Sequence, residues 1–150
     1  MSLKSQIIPA MKEAMKAKDK VALETLRAIK AELIIAETAT GASEEMNQTD
    51  EIKLLVKMQK QRKDAAAIYI EQGRTDLAQD EIAQTKILEN FLPQQMSREE
   101  LESAVTLIIE KVGASGPSDM GKVMGLSTKE LVGKAEGRLI AETVKSLLNK

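Results

Sequence analysis

The sequence has no cysteine, no histidine and no tryptophan, and only one tyrosine, one phenylalanine and three prolines in 150 residues. Each absence removes a class of function. Without cysteine there is no disulfide framework and no thiolate metal cage, and such a composition suits a reducing, cytoplasmic setting better than a secreted scaffold. Without histidine, the commonest general base near neutral pH is missing. So few aromatic rings exclude stacking on unpaired bases as a main mode of nucleic-acid recognition. The opening stretch MSLKSQIIPAMKEAMKAKDK carries a charge every few residues, so it reads neither as a signal peptide nor as a membrane span. Nothing else in the chain reads as a span, and no membrane partner is expected.

Against these absences stands a high but balanced charge, 22 basic and 23 acidic residues. Bulk electrostatics therefore predicts no polyanion partner, and any nucleic-acid contact needs a local basic patch. Ala, Leu, Ile, Met, Glu, Lys and Gln dominate the chain; these are strong helix formers, whereas alternating and aromatic strand patterns are missing. The expected fold class is all-α.

Periodicity places a first helix over residues 3–17, with Ile8, Met11 and Met15 at helical spacing and Pro9 starting or kinking it. A second, over 20–38, carries Ala22, Leu26, Ile29, Leu33 and Ala36 as one apolar seam. The polar stretch TATGASEEMNQ reads as a mobile loop. A third helix follows over 50–72, with Thr49 or Asp50 as its cap and Gly73 as its end. The fourth, over 75–92, turns Leu77, Leu88 and Phe91 inward until Pro93 stops it. Ser97 and Glu100 form a capping box ahead of Leu101, Val105, Ile108 and Val112, and Gly113 closes that helix. Two short helices, 119–131 and 136–148, complete the chain. The organisation expected is an N-terminal helical domain of about four helices over 1–93 and a C-terminal three-helix domain over 94–150.

The motifs point to binding rather than catalysis. GPSDMGKV at 116–123 satisfies the glycine and lysine spacing of a nucleotide loop, but no strand precedes it, Val123 lacks the required hydroxyl and Pro117 removes an amide. Ser115, Ser118 and Lys122 invite comparison with a serine and lysine hydrolytic site, yet a glycine-punctuated turn with Ser118 as helix cap is the simpler reading. No catalytic residue, metal site or cofactor site is expected. Gly121 and Gly125, one helical turn apart, let a second backbone or a phosphate come close. Gly133 and Gly137 bracket Lys134 and precede Arg138 at a helix start, where free amides and the helix dipole favour an anion. Arg62 lies at the centre of an apolar stripe of Leu54, Leu55, Met58, Ala65, Ala66 and Tyr69. It is a candidate buried anchor, either paired with a carboxylate of another helix or facing a ligand anion in an interhelical groove. Lys53, Lys57 and Lys60 on the other face read as solvated surface, because Asp64 continues their row.

Five blocks carry a family resemblance: AMKAKDKVALETLRAIKAE, KQRKDAA with GRTDLAQDE, FLPQQMSREEL, VGASGPSDMGKVMG and GKAEGRLI. Together they resemble the GatB/YqeY family, and in particular its free-standing members, almost end to end. The resemblance implies an N-terminal helical domain followed by a small helical domain similar to the tail of the B subunit of the glutamine-dependent tRNA amidotransferase, a tRNA-handling module. It also carries the label of carbon-nitrogen ligase activity with glutamine as amido-N-donor, although the catalytic parts of that enzyme have no counterpart in this chain. Val132 stands where the family commonly has a basic residue and Glu136 where it has Asp, so this turn is less positive than the family pattern. The expected function is a non-catalytic accessory protein that binds tRNA, or an amidotransferase or other tRNA-bound enzyme, with Lys122, Lys134 and Arg138 on phosphate. The alternative is a protein-interaction module in which Met120, Met124, Gly121 and Gly125 form a groove for a partner helix.

Overall fold

The computed structural model describes residues 2–39 and 46–149. Among the described residues it is all-α, with no strand. Helices α1 (Leu3–Lys16), α2 (Lys20–Ala39), α3 (Gln48–Glu71) and α4 (Thr75–Glu89) belong to one compact unit, Met1–Leu92. Helices α5 (Arg98–Val112), α6 (Met120–Glu130) and α7 (Gly137–Leu148), with a 3-10 turn at Pro117–Asp119, belong to a second, Pro93–Lys150.

In the first unit, the seam of α2 largely behaves as its spacing predicts: Ala22, Leu26, Ile29 and Leu33 are buried, joined by Thr25, while Ala36 at its end is only half-buried. The Thr25 hydroxyl donates to the Val21 carbonyl 2.8 Å away, which removes the cost of its burial. Leu3 and Ile7 of α1, Leu55 and Met58 of α3 and Leu88 of α4 close the core around this seam. The first helix differs from expectation. It runs unbroken through Pro9 and buries Leu3, Ile7 and Ala14, leaving Ile8 and Met15 about half exposed. Of the expected face only Met11 packs on the core; Leu3 and Ile7, not Ile8, set the phase of the buried face.

Two further corrections concern helix ends. Asn47, not Thr49 or Asp50, caps α3, its Oδ1 accepting from the Asp50 amide at 2.8 Å. Helix α4 stops three residues short of the expected end, at Glu89, although Phe91 and Leu92 still pack on the core. At the α3–α4 corner, Arg74 Nη2 donates to Asp76 Oδ2 at 3.2 Å and holds that exposed carboxyl below its ordinary range. The predicted loop TATGASEEMNQ falls largely on residues 40–45, outside the described residues.

The second unit packs α5, α6 and α7 against one another around Val105, Val123 and Val144, one from each helix and each fully buried. Ser97 caps α5 as its sequence predicts, its Oγ accepting from the Glu100 amide at 3.1 Å. Gly113 ends α5 in the left-handed region, and the Ala114 amide reaches back to the Ile109 carbonyl at 3.1 Å. Ser118 does not cap α6: it lies inside the 3-10 turn, and Asp119 precedes the helix. The Asp119 carboxylate is turned to the Ser115 amide at 3.0 Å, stapling the glycine-rich loop onto itself.

Candidate functional site

The turn between α6 and α7 is assembled from three stretches of the second unit. Leu131 is buried and anchors the end of α6, and Gly133, also buried, takes φ +78, which a side chain would resist. The polar stretch before α5 then ties the turn down. The Met96 amide donates to the Lys134 carbonyl at 2.8 Å, and Gln95 Nε2 donates to the Gly133 carbonyl at 2.6 Å. Two consecutive carbonyls are thereby engaged by residues 38 positions away, and the backbone that carries Lys134 is fixed rather than free.

On this frame Lys134 is half-buried and makes no ion pair among the described residues, while Arg138 is exposed and leans 3.8 Å from Glu142 one turn along α7. No side chain caps α7, and its first turn has no acid. A cation at a helix start sits at the positive end of the dipole, so Arg138 and the free amides make the turn locally positive, offset in part by the N-cap residue Glu136 and by Glu142. Lys129, to which no sequence motif draws attention, belongs with them. It is exposed in the last turn of α6, at the end that leads into the site, and its neighbour Glu130 is occupied with Lys111 of α5 at 3.4 Å. Lys122 does not join this group. It lies in the first turn of α6, roughly 12 Å along the axis from the turn.

The glycines sort differently from their expected roles. Gly121, Gly125 and Gly137 each face open space where a Cβ would stand, so among the described residues of this unit no other helix packs on them. Any close approach they permit is by an outside molecule. Met120 and Met124 are half-buried against the core of the unit, while Gly121 and Gly125, the next residues along α6, are exposed. Core packing leaves only part of each methionine's surface for the partner-helix groove expected from these four residues.

Arg62 also departs from expectation. It is half-buried, and its partner is an amide rather than a carboxylate: Nε donates to Gln84 Oε1 of α4 at 2.8 Å and Nη1 to the Met58 carbonyl at 3.2 Å. Gln84 lines a cleft of about 380 Å3 between α2, α3 and α4 together with Tyr69, Lys20 and three acids, Glu24, Asp80 and Glu81. Those acids make the cleft unsuited to a ligand anion, and Arg62 acts instead as a clamp between α3 and α4. Arg62→Ala should lower stability by about 1.5 kcal/mol, the low end for hydrogen bonds from a charged donor. Arg62→Lys should restore less than half of that, because a lysine lacks the forked donors that serve Gln84 and Met58 together; urea unfolding of the three proteins checks it. On the outer face of α3, Lys60 and Asp64 pair at 3.2 Å in the solvated row expected there.

No group of three or more acidic side chains that could hold a metal ion occurs among the described residues, and no described helix is long and apolar enough to cross a membrane. The model of the family described as "Yqey-like protein" matches residues 4–148. The chain is also 28% identical over 139 residues to "Altered inheritance of mitochondria protein 41, mitochondrial" of Kluyveromyces lactis, an alignment that covers 91% of this chain and 70% of that protein.

Proposed function

Because the chain belongs to the YqeY-like family, we propose that it is a non-catalytic accessory protein that binds tRNA, alone or on an enzyme, through the α6–α7 turn of its second unit. The observation that carries this reading is the turn itself: Lys134 on a backbone fixed by Gln95 and Met96, beside Arg138 at the uncapped start of α7. Cations on a rigid frame with exposed amides suit phosphate, and the scarcity of aromatic rings directs recognition to the backbone and shape of folded RNA. The charge within the unit supports the same side. Helix α5 carries Glu99, Glu100, Glu102 and Glu110 against Arg98 and Lys111, whereas beyond it Lys122, Lys129, Lys134, Arg138 and Lys145 stand against Asp119, Glu130, Glu136 and Glu142, a balance that shifts from acidic to slightly basic. In this reading the carbon-nitrogen ligase chemistry with glutamine as amido donor belongs to a partner amidotransferase, since the chain itself has neither cysteine nor histidine. A cytoplasmic location is part of the same proposal; the Kluyveromyces relative, named as mitochondrial, shows that relatives occur in another compartment.

The test is a salt titration of tRNA binding. Replacing both Lys134 and Arg138 with Ala should leave the fold intact, since such charges contribute only about 0–1 kcal/mol. The log-log salt slope should fall by about two units, roughly one for each phosphate no longer neutralised. Lys129→Ala should remove a further unit, and Lys122→Ala should change the slope less than Lys129→Ala does. An affinity and slope that stay at wild-type values in the double variant would sink the proposal.

A further inference from the structure

The corner between α1 and α2 joins two helices with only Ala17, Lys18 and Asp19. Helix α1 closes with the Asp19 amide on the Ala14 carbonyl at 2.9 Å and the Lys18 amide on the Met15 carbonyl at 3.2 Å, which requires Lys18 in the left-handed region at φ +55. Asp19 then starts α2, its carboxylate accepting from the Ala22 amide at 3.1 Å. The same type of helix ending is served by Gly73 after α3 and Gly113 after α5. Lys18 is the only non-glycine residue at positive φ among the described residues, in a conformation that costs an L-residue about 1–2 kcal/mol. Glycine would end α1 without that strain, which the attraction of a cation to the negative end of the α1 dipole offsets only in part.

Beside this lysine is a hollow of about 270 Å3 lined by Ala14, Met15, Lys18, Asp19, Lys20 and Leu23. Its wall is apolar, built from Ala14, Met15, Leu23 and the stems of the two lysines, and Met15 is 52% exposed. The volume falls below the roughly 300–1,000 Å3 of a small-molecule pocket but admits a single long side chain. Neither Lys18 nor Lys20 makes an ion pair among the described residues, and the one acid in the lining, Asp19, is occupied with the Ala22 amide. An apolar hollow with free cations on its rim complements an apolar side chain between carboxylates.

We propose that the α1–α2 corner is a docking site for an acidic peptide segment that inserts one long aliphatic side chain into this hollow, with Lys18 and Lys20 facing its flanking carboxylates. A peptide fits better than a membrane surface, which would need a broad apolar face rather than one side-chain-sized hollow, and better than RNA, which has nothing to place on the apolar wall. The site lies in the first unit, and the inference does not rest on the tRNA reading.

The test uses the full chain and three probes: a fluorescent peptide with Leu between runs of Glu and Asp, the same peptide with Ser for Leu, and phosphatidylserine vesicles. The Leu peptide should bind at least about tenfold more tightly than the Ser peptide, the difference expected from burying one aliphatic side chain. It should also shift the methyl resonances of Met15 and Leu23. Lys18→Gly, which removes the charge and the backbone strain together, should melt no lower than wild type yet bind the Leu peptide about threefold more weakly, within the range of an exposed charge contact. Equal binding of the two peptides, binding of vesicles but not of the Leu peptide, or unchanged peptide affinity in Lys18→Gly would each overturn the proposal.

Discussion

Leu88→Ala is expected to lower the stability of the N-terminal unit by about 3 kcal/mol, within the range for truncating a fully buried leucine. Leu88 has no exposed surface and packs in the cluster formed by α1, α2, α3 and α4. Removing its isobutyl group loses the transfer free energy and leaves a cavity, because Ile29, Leu55 and Met58 are held by their own helices and cannot all move into the space. For a unit of this size the loss corresponds to a fall in melting temperature on the order of 15 °C. The change also tests the division of the chain. The core of the second unit is built around Val105, Val123 and Val144 and shares no residue with that of the first. If the units fold independently, calorimetry should show one transition falling steeply while the other stays in place. A single transition that falls as a whole would mean that Met1–Leu92 and Pro93–Lys150 unfold as one cooperative body.

How much of this is legible in the chain depends on whether the signal is local. The seam of α2 and the Ser97 cap of α5 are set by residues within two turns of one another, and both are found where spacing places them. The phase of α1 is harder to read because Leu3 and Ile7 lie before Pro9, where a proline invites the helix to begin later. Arg62 shows the next level of difficulty. Its place in an apolar stripe correctly signals partial burial, but nothing within α3 specifies whether a carboxylate or an amide meets it from α4.

The candidate site lies at the far end of that scale. Lys134, Arg138 and the glycines of the turn are visible as a motif. The bonds that fix the turn come from Gln95 and Met96, in a stretch whose sequence marks it only as a polar junction. Lys129 escapes notice in the sequence because its neighbour Glu130 cancels it on paper; the fold sends Glu130 to Lys111 and leaves Lys129 alone. Helix α6 is short and carries a serine at a core position, Ser127, fully buried with no hydrogen-bond partner for its hydroxyl among the described residues. That polar residue blurs the apolar stripe of Val123 and Leu131.

Glu51→Ala is expected to destabilise the first unit by about 2.5 kcal/mol, toward the upper part of the range for a buried hydrogen bond to a charged group. Glu51 is a buried acid of α3, and its Oε2 accepts from the Leu3 amide at 2.6 Å, at the first residue of α1. Helix α1 needs this help. Its first turn has no acid and carries Lys4, and the Ser2 side chain satisfies only the Ser5 amide, its Oγ accepting at 3.2 Å. The negative charge that the α1 dipole favours is supplied instead by Glu51 of α3, and Lys4 itself lies 3.7 Å from Glu37 of α2. Because Glu51 also stands in the first turn of its own helix, one carboxylate serves the starts of two helices. Truncation leaves the Leu3 amide without its partner beside a new void, so the loss should exceed that of a surface cap. Glu51→Gln retains an acceptor of nearly the same shape but no charge, and should cost about half as much. Urea unfolding of wild type and both variants provides the check. If Glu51→Ala and Glu51→Gln are equally harmful, the charge rather than the acceptor carries the effect; if both leave the midpoint unchanged, the Glu51 contact does not hold α1 in place.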